Sequence, residues 1–151
     1  MSNAEHRISE DLAVLGYRGP VSTSAGAVNG TAIDMRFFRR LNFKVMTGLV
    51  AANGTLDFKL QCSVDGSTNW EDIPGKAITQ FDEDSDEMIA QIDLQAEENR
   101  LVADDEARRY VRFVLTIATA ASVCAILVVG DVARYNPAMN YNLAAVVETV
   151  E

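Results

Sequence analysis

The side chains that most often carry out catalysis are scarce in this sequence. The only histidine is His6, near the start of the chain, and the only cysteines are Cys62 and Cys124. A serine or cysteine nucleophile usually takes its proton acceptor from histidine, and a structural zinc site needs four cysteine or histidine ligands. The sequence also contains no phosphate-binding loop, nucleophile elbow or dinucleotide fingerprint. These observations predict a protein that is not an enzyme, with no cofactor and no bound metal.

Carboxylates are plentiful, and two groups of them are spaced closely enough to be considered as metal ligands. The segment 65–69 (DGSTN) has alternating oxygen ligands, but a calcium-binding EF-hand loop carries its glycine at the sixth position, whereas Gly66 is second here. A tight turn is therefore the better interpretation. The run 82–87 (DEDSDE) is expected to be a hydrated acidic loop, because neighbouring carboxylates repel one another.

Aromatic side chains offer a different kind of chemistry. Trp70 and the four tyrosines are the residue types that stack on sugar rings in a carbohydrate-binding face. The alternative is that Trp70 packs in the core beside the turn at 65–69.

Charge is distributed unevenly along the 151 residues. The net charge is −9, which argues against binding to nucleic acid through its phosphates. Residues 51–107 carry an excess of twelve negative charges, whereas the segments before and after carry slight positive excesses. The basic residues flank the acidic segment, at Arg36, Arg39, Arg40 and Lys44 before it and at Arg108, Arg109 and Arg112 after it. Such regions are either solvated or meet complementary surfaces on neighbouring copies or another protein.

Alternation of apolar and polar residues predicts the elements that position these side chains. Segments with a period of two cover residues 33–37, 41–45, 56–64, 88–94 and 110–118, and residues 123–129 are nearly all apolar. The first two segments read as one strand or two collinear ones, Asn53-Gly54 predicts a hairpin turn, and a weak strand is predicted over 77–81. Regularly spaced strands without convincing helices predict an all-β fold, an antiparallel β-sandwich or a jelly-roll-like domain.

Both ends of the chain lack this pattern. Residues 1–30 are rich in glycine and small side chains and are expected to form an N-terminal arm, and residues 134–151 are expected to form a C-terminal tail. The sandwich core is accordingly placed at residues 31–133. The first ten residues lack a secretory signal, and the apolar stretch 117–129 is too short to cross a bilayer as a helix. Cys62 and Cys124 are therefore expected to be buried thiols in a chain that is not exported and does not bind a membrane.

Several segments of the sequence together resemble a known class of proteins. GTAIDM at 30–35, LNFKV at 41–45, FKLQCSVDGS at 58–67 with WEDI at 70–73, and RYVRF at 109–113 are similar to small β-sandwich virion proteins of tailed bacteriophages. Many of these are head decoration, or cement, proteins. The resemblance implies a location on the capsid surface after synthesis in the host cytoplasm. It also implies binding to the major capsid protein and self-association, commonly as trimers, with arms that clamp neighbouring subunits.

The side chains expected at such an interface are Tyr17, Arg18, Arg36, Arg39, Arg40, Tyr135 and Tyr141. A carbohydrate-binding or receptor-binding module is the alternative from another functional class, and it requires exposed Trp70 or tyrosine rings. A tail or neck adaptor of the phage particle is a further alternative. If the capsid interpretation holds, the acidic residues in 82–106 should face solvent or a basic patch on a neighbour.

Overall fold

The computed structural model describes residues 7–101, 108–135 and 137–150, and in these ranges nine strands form two antiparallel sheets. Sheet A has the strand order β1-β9-β4-β7, and sheet B has the order β2-β8-β5-β6 with β3 also paired to β8. The strands are β1 (Leu12–Thr23), β2 (Gly26–Asn29), β3 (Ile33–Asp34), β4 (Phe38–Val50), β5 (Thr55–Ser63), β6 (Glu71–Ala77), β7 (Ile89–Gln95), β8 (Tyr110–Ala118) and β9 (Ser122–Ala133). A short helix α1 (Ile8–Asp11) and two 3₁₀ helices (Ala96–Leu101 and Ala138–Tyr141) complete the fold. The predicted all-β sandwich is confirmed.

The core lies between the two sheets and is built by the alternation seen in the sequence. In β5 every second residue from Leu56 to Cys62 is buried, and in β9 the residues on the inner face, such as Ile126 and Val128, are fully buried. The rings of Phe58 and Phe113 stack with their centroids 5.6 Å apart. Cys62 and Cys124 are both buried, as predicted.

The N-terminal segment differs from the expected arm. Leu12–Thr23 pairs with β9 along sheet A, and Gly26–Asn29 pairs with β8 in sheet B, so most of residues 1–30 belongs to the sandwich. The alternation was hidden because the register shifts twice along β1. Gly16 is required at the first shift, since a Cβ there would lie 2.6 Å from Cγ2 of Val128. Pro20 is tolerated because β1 is an edge strand with no ladder partner on its outer side.

Two predicted connections are also corrected. Segments 33–37 and 41–45 are not collinear, because β3 belongs to sheet B and β4 to sheet A. Asn53-Gly54 does form a tight turn, with Asn53 at φ 59° and the Gly54 N–H donating to the Ala51 carbonyl. That turn leads from β4 to β5, which lie in different sheets, so it is a crossover and not a hairpin. Ala77 is the last residue of β6, and residues 78–81 contribute one isolated bridge, between Leu56 and Phe81, instead of the predicted strand.

The turn after β5 is held by one carboxylate. Asp65 accepts hydrogen bonds from the backbone N–H groups of Ser67 and Thr68, at 2.9 and 2.8 Å, and from the hydroxyls of Thr68 and Ser63. The Thr68 hydroxyl and amide, with the Ser67 amide, hold the pKa of the Asp65 carboxyl well below its usual range. The tight turn expected at 65–69 is thus stabilised by the ionised side chain.

Burial predicts how two identical substitutions differ in their effect on stability. Leu60 is fully buried on β5, so Leu60→Ala should lower the free energy of unfolding by about 3 kcal/mol. Leu49 is 65% exposed at the end of β4, so Leu49→Ala should change the free energy by less than about 0.5 kcal/mol. Urea denaturation of the two variants measures both values, and equal losses would contradict this placement of the core.

Asp65 predicts a pH dependence of stability. The folded state lowers the pKa of this group, so its stabilisation is complete above its unfolded pKa of about 4 and is lost as the pH falls below that value. The stability difference between the wild type and Asp65→Asn should therefore be constant from neutral pH down to pH of about 5 and shrink below about 4. Urea denaturation across this pH range tests it, with Asp84→Asn as the control for the change in net charge. A difference that persists undiminished at low pH would contradict the role of the carboxylate.

Candidate interaction surface

The side chains expected at an interface fall into two groups in the structure. Five of them lie together at the end of the sandwich where β4 begins and β9 ends, namely Arg36, Arg39, Arg40, Tyr135 and Tyr141. Tyr17 and Arg18 lie further along β1, opposite Leu127 and Ile126. Arg36, Arg39 and Arg40 are far from the two tyrosines in the sequence, and the antiparallel pairing of β4 with β9 brings the two groups to one end.

A shallow groove runs through this end of the molecule. It has a volume of about 300 Å³ and lies between the turn that joins β3 to β4, the end of β9 and the first 3₁₀ helix. The Arg134 N–H donates to the Phe37 carbonyl at 2.8 Å, which fixes the end of β9 against the turn. We call this feature the arginine groove, and it is lined by Met35, Arg36, Phe37, Phe38, Arg39, Ala96, Val132, Ala133 and Arg134.

Arg36 and Arg39 on the rim are held by ion pairs, and the pair between Arg39 and Glu97 is exposed. Arg36 Nη2 lies 2.8 Å from Asp34 Oδ2, and Arg39 Nη2 lies 3.3 Å from Glu97 Oε1. Beside the groove, Arg40 Nη2 lies 2.7 Å from Asp131 Oδ2. An exposed pair such as Arg39–Glu97 contributes about 0–1 kcal/mol, so a partner's carboxylate can replace Glu97 at little cost. The Asp34 side chain is only 13% exposed, so its pair with Arg36 is harder to exchange. A guanidinium group has five N–H donors, which leaves donors for a partner even while an existing pair is kept.

The groove contains a strained backbone position. Val132 has a φ of 53°, and its amide donates to its neighbour's carboxylate, Asp131 Oδ1, at 2.6 Å. The left-handed region costs an L-residue about 1–2 kcal/mol, and a β-branched side chain is rare there. Val132 is nonetheless 44% exposed, so burial of its own side chain does not account for the strain. Strain of this kind is concentrated at binding sites.

An aromatic cluster fastens the C-terminal segment next to the groove. The Tyr141 ring lies 5.5 Å from the Phe37 ring and 5.4 Å from the Phe38 ring, edge-on to the latter. The following residues then bind the free edge of β1: Asn142 Oδ1 accepts from the Val14 N–H at 2.7 Å, and the Leu143 N–H donates to the Val14 carbonyl at 2.9 Å. The first part of the expected tail is therefore docked on the fold.

Tyr17 and Arg18 point to opposite sides of sheet A. Tyr17 is 57% exposed on the outer face, beside Leu127. Arg18 lies opposite the fully buried Ile126, and its Nη2 donates to Thr23 Oγ1 at 2.8 Å near the Cys124 thiol. Burial raises the pKa of that thiol. Arg18 is thus half-buried within the sandwich and is not part of the arginine groove.

Trp70 lies outside the core but is not an open stacking platform. The Arg112 guanidinium lies 4.2 Å from the centre of its ring, and Arg112 donates two hydrogen bonds to Gln61 Oε1, at 3.1 and 2.8 Å. Gln61 in turn donates to Asp72, which is paired with Lys59 at 2.6 Å. The half-buried ring therefore has one face covered, and sugar stacking would have to use the other.

The acidic loop lies at the far end of β4 from the arginine groove. Because β4 is 13 residues long and a strand rises about 3.3 Å per residue, the two ends are about 40 Å apart. Two hydrogen bonds hold the loop against the end of β4 and the turn after it. The Val50 N–H donates to Asp86 Oδ1 at 2.7 Å, and the Asn53 N–H donates to Glu83 Oε2 at 2.6 Å. All five carboxylate residues of 82–87 are exposed, whereas Glu97 and Glu98 pair with Arg39 and Lys76 near the other end. The acidic segment is thus divided between the two ends, and residues 102–107 lie outside the described part.

A metal site and a membrane-spanning helix are two other functional features that the described residues could contain. Within residues 7–101, 108–135 and 137–150, no three His, Cys, Asp or Glu side chains are grouped to hold a metal ion. No helix in these ranges is long and apolar enough to cross a membrane. His6 lies outside the described residues. What the structure assembles is an apolar groove with an arginine rim, which is an arrangement suited to binding an acidic or carboxylate-bearing partner.

The fold and this surface define a β-sandwich with a candidate protein interface. No protein-family description matches the sequence, and no curated protein matches it. Among solved structures, PBSX exported protein XepA superposes with a TM-score of 0.55 at 10% identity, over 83% of this chain and 39% of XepA. This chain therefore spans about two fifths of XepA, and the likeness shows a shared fold.

Other solved structures are more distant. A non-crystalline cellulose-specific carbohydrate-binding module, CBM28, has a TM-score of 0.44 at 11% identity, over 76% of this chain and 71% of the module. A Broad Bean Stain Virus structure has a TM-score of 0.44 at 7% identity, over 90% of this chain and 93% of the viral chain. Several further matches are also virus-particle proteins. With TM-scores below 0.5, none of these structures supports a functional argument.

The aromatic cluster predicts how the C-terminal segment responds to mutation. Tyr141→Ala removes the ring between Phe37 and Phe38 and should lower the free energy of unfolding by about 2 kcal/mol. It should also release the segment after residue 137, so that limited proteolysis removes this segment faster. Tyr135→Ala is the matched control, because that ring is 60% exposed and should be dispensable for stability. Equal proteolysis of the two variants would contradict the docking described here.

Proposed function

We propose that this chain is a non-enzymatic structural protein of a virus particle. More specifically, we propose a capsid decoration (cement) protein that binds the outer shell of the major capsid protein as a homo-oligomer, a trimer in the simplest case. The observation that carries the proposal is the arginine groove, in which three arginines surround an apolar floor containing the strained and exposed Val132. The sequence resemblance to phage β-sandwich virion proteins is consistent with such a role.

The separation of charge along the sandwich supports one orientation on the shell. The arginine groove would face acidic side chains of the capsid protein, since the exposed pair between Arg39 and Glu97 can be exchanged for another. The acidic loop, about 40 Å away at the other end of β4, would then face solvent. A negative outer surface would keep particles from sticking to one another and to free nucleic acid.

Stabilisation of a shell in this way is a linkage effect. A protein that binds only the assembled shell lowers the free energy of that state and opposes its disruption. Each contact through an exposed groove can be weak, because symmetry repeats it many times and linked contacts act at high effective concentration. This mechanism uses binding surfaces and requires no reaction.

The proposal predicts that charge reversal in the groove weakens binding to shells. Purified protein should co-sediment with empty shells of the major capsid protein encoded in the same genome and should raise their thermal stability. The double variant Arg39→Glu/Arg134→Glu should bind about tenfold more weakly or worse, because it replaces attraction with repulsion. Binding of the wild type should also weaken as salt is raised, since the rim is exposed.

The matched control is Lys44→Glu/Lys59→Glu, which changes the net charge by the same amount on the outer faces of the two sheets. Circular dichroism and urea denaturation establish that both variants fold. Shell binding that is lost equally in both pairs would contradict the assignment of the groove. Absence of wild-type binding to any form of the shell would overturn the decoration role itself.

A further inference from the structure

The residues after the docked part of the C-terminal segment are apolar and acidic, which suits the apolar floor and arginine rim of the arginine groove. Residues 144–150 (AAVVETV) combine apolar side chains with one carboxylate and contain no lysine or arginine. Val147 is 95% exposed and Val150 is 85% exposed, which are the highest exposures among the large apolar side chains in the described ranges. We call residues 144–150 the valine tail.

Val147 and Val150 of the valine tail are not buried within their own molecule, whereas Val146 is half-buried. A turn closed by the Val146 N–H donating to the Leu143 carbonyl, at 2.9 Å, follows the anchor on β1. None of the residues that line the arginine groove comes from the tail, although Tyr141 packs on Phe37 and Phe38 at the edge of that groove. The tail and the groove are therefore both open in a single copy.

The two surfaces complement each other in charge and polarity. The floor of the groove is formed by Phe37, Ala96, Val132 and Ala133, against which valine side chains can pack. Its rim presents Arg39, in an exposed pair with Glu97 at 3.3 Å, and Arg134, whose guanidinium lies 5.9 Å from the Tyr135 ring. Glu148, between the two exposed valines, can pair with either arginine. An acidic, apolar peptide fits this groove better than a basic one.

We infer that the valine tail of one copy occupies the arginine groove of a second copy of this chain. The contact is heterologous, because the tail of each copy enters the groove of the next, and such contacts form closed rings when the rotation between copies is suitable. The inference rests on the proposed function in that it names the self-association surface of a decoration protein. The tail would use the apolar floor with Arg39 or Arg134, and Arg36 on the rim would still be available to acidic side chains of the capsid protein.

Cysteine cross-linking between two separately labelled preparations tests the inference directly. One preparation carries Val147→Cys and the other carries Val132→Cys, both at exposed positions, while the native Cys62 and Cys124 are buried. After mixing and mild oxidation, non-reducing electrophoresis should show a heterodimer that neither preparation forms alone in comparable yield. Val147→Cys mixed with Leu49→Cys is the control and should not cross-link, although Leu49 is more exposed than Val132, because Leu49 lies at the acidic end.

Other results would overturn the inference. If cross-linking occurs only when Val147→Cys and Val132→Cys are in the same chain, and the product is a monomer, the tail occupies its own groove. If the Leu49→Cys control cross-links as well as Val132→Cys, or if no pair cross-links, the tail does not select the groove of a second copy.

Self-association in solution gives a second readout that does not depend on cysteine chemistry. Sedimentation velocity should show self-association of the wild type that is weakened about tenfold or more by Val147→Asp/Val150→Asp, because two charges would enter an apolar floor. Ala144→Asp/Ala145→Asp adds the same charge at the turn and should have a smaller effect. Equal effects of the two pairs would count against the inference. Neither experiment contains capsid protein, so shell binding and tail docking can fail independently.

Discussion

The packing of side chains over Gly130 fixes the end of the sandwich that carries the arginine groove. A Cβ at this position of β9 would lie 2.5 Å from Leu15 Cδ1 and 2.7 Å from Phe38 Cδ1, both far below a normal contact. The absence of a side chain lets β1 and β4 send Leu15 and Phe38 across the central strand from either side. Phe38 is thereby buried at the start of β4, and the turn before it, with Phe37 and Arg36, is held in one place.

Phe38 positions the C-terminal segment as well as the turn that joins β3 to β4. Tyr141 packs on the Phe37 and Phe38 rings, so the anchor of the C-terminal segment depends on the same buried residue as the groove does. The rest of sheet A separates the end that carries the arginine groove from the acidic loop. Charges about 40 Å apart are several Debye lengths from each other at physiological salt, so the charges at the two ends are screened from each other.

Alternation of apolar and polar residues predicts a strand correctly where that strand keeps its register with its partner. The predicted strand at 110–118 coincides with β8, and the strand predicted at 88–94 coincides closely with β7, because neither strand shifts register on β5 or β4. The strand at residues 12–23 was predicted to be part of an arm, because its two register shifts, Gly16 and Pro20 break the alternation that would reveal it. The helix α1 and the strand β2 are likewise too short to show a helical or strand period in the sequence.

The candidate site was predictable in its residue types and not in its arrangement. Arg36, Arg39 and Tyr135 could be selected because basic and aromatic side chains are favoured at interfaces. Arg18 was selected for the same reason, yet it faces inward beside Ile126, since the register of β1 on β9 decides which side of the sheet it occupies. Val132, Ala96 and Arg134 carried no sequence signal of their own, because they become a groove only when three separate segments meet.

The sequence by itself determined the all-β class, most of the strands, the buried thiols and the concentration of acid in the middle of the chain. These properties follow from period-two alternation and from composition, which act over a few neighbouring residues. Only the tertiary structure decided that the turn at Asn53-Gly54 crosses between sheets and that residues 12–29 belong to the sandwich. It also decided that the arginine groove and the acidic loop at 82–87 lie at opposite ends of β4. Those outcomes depend on which strands pair with which, and that choice is made by packing between residues far apart in the chain.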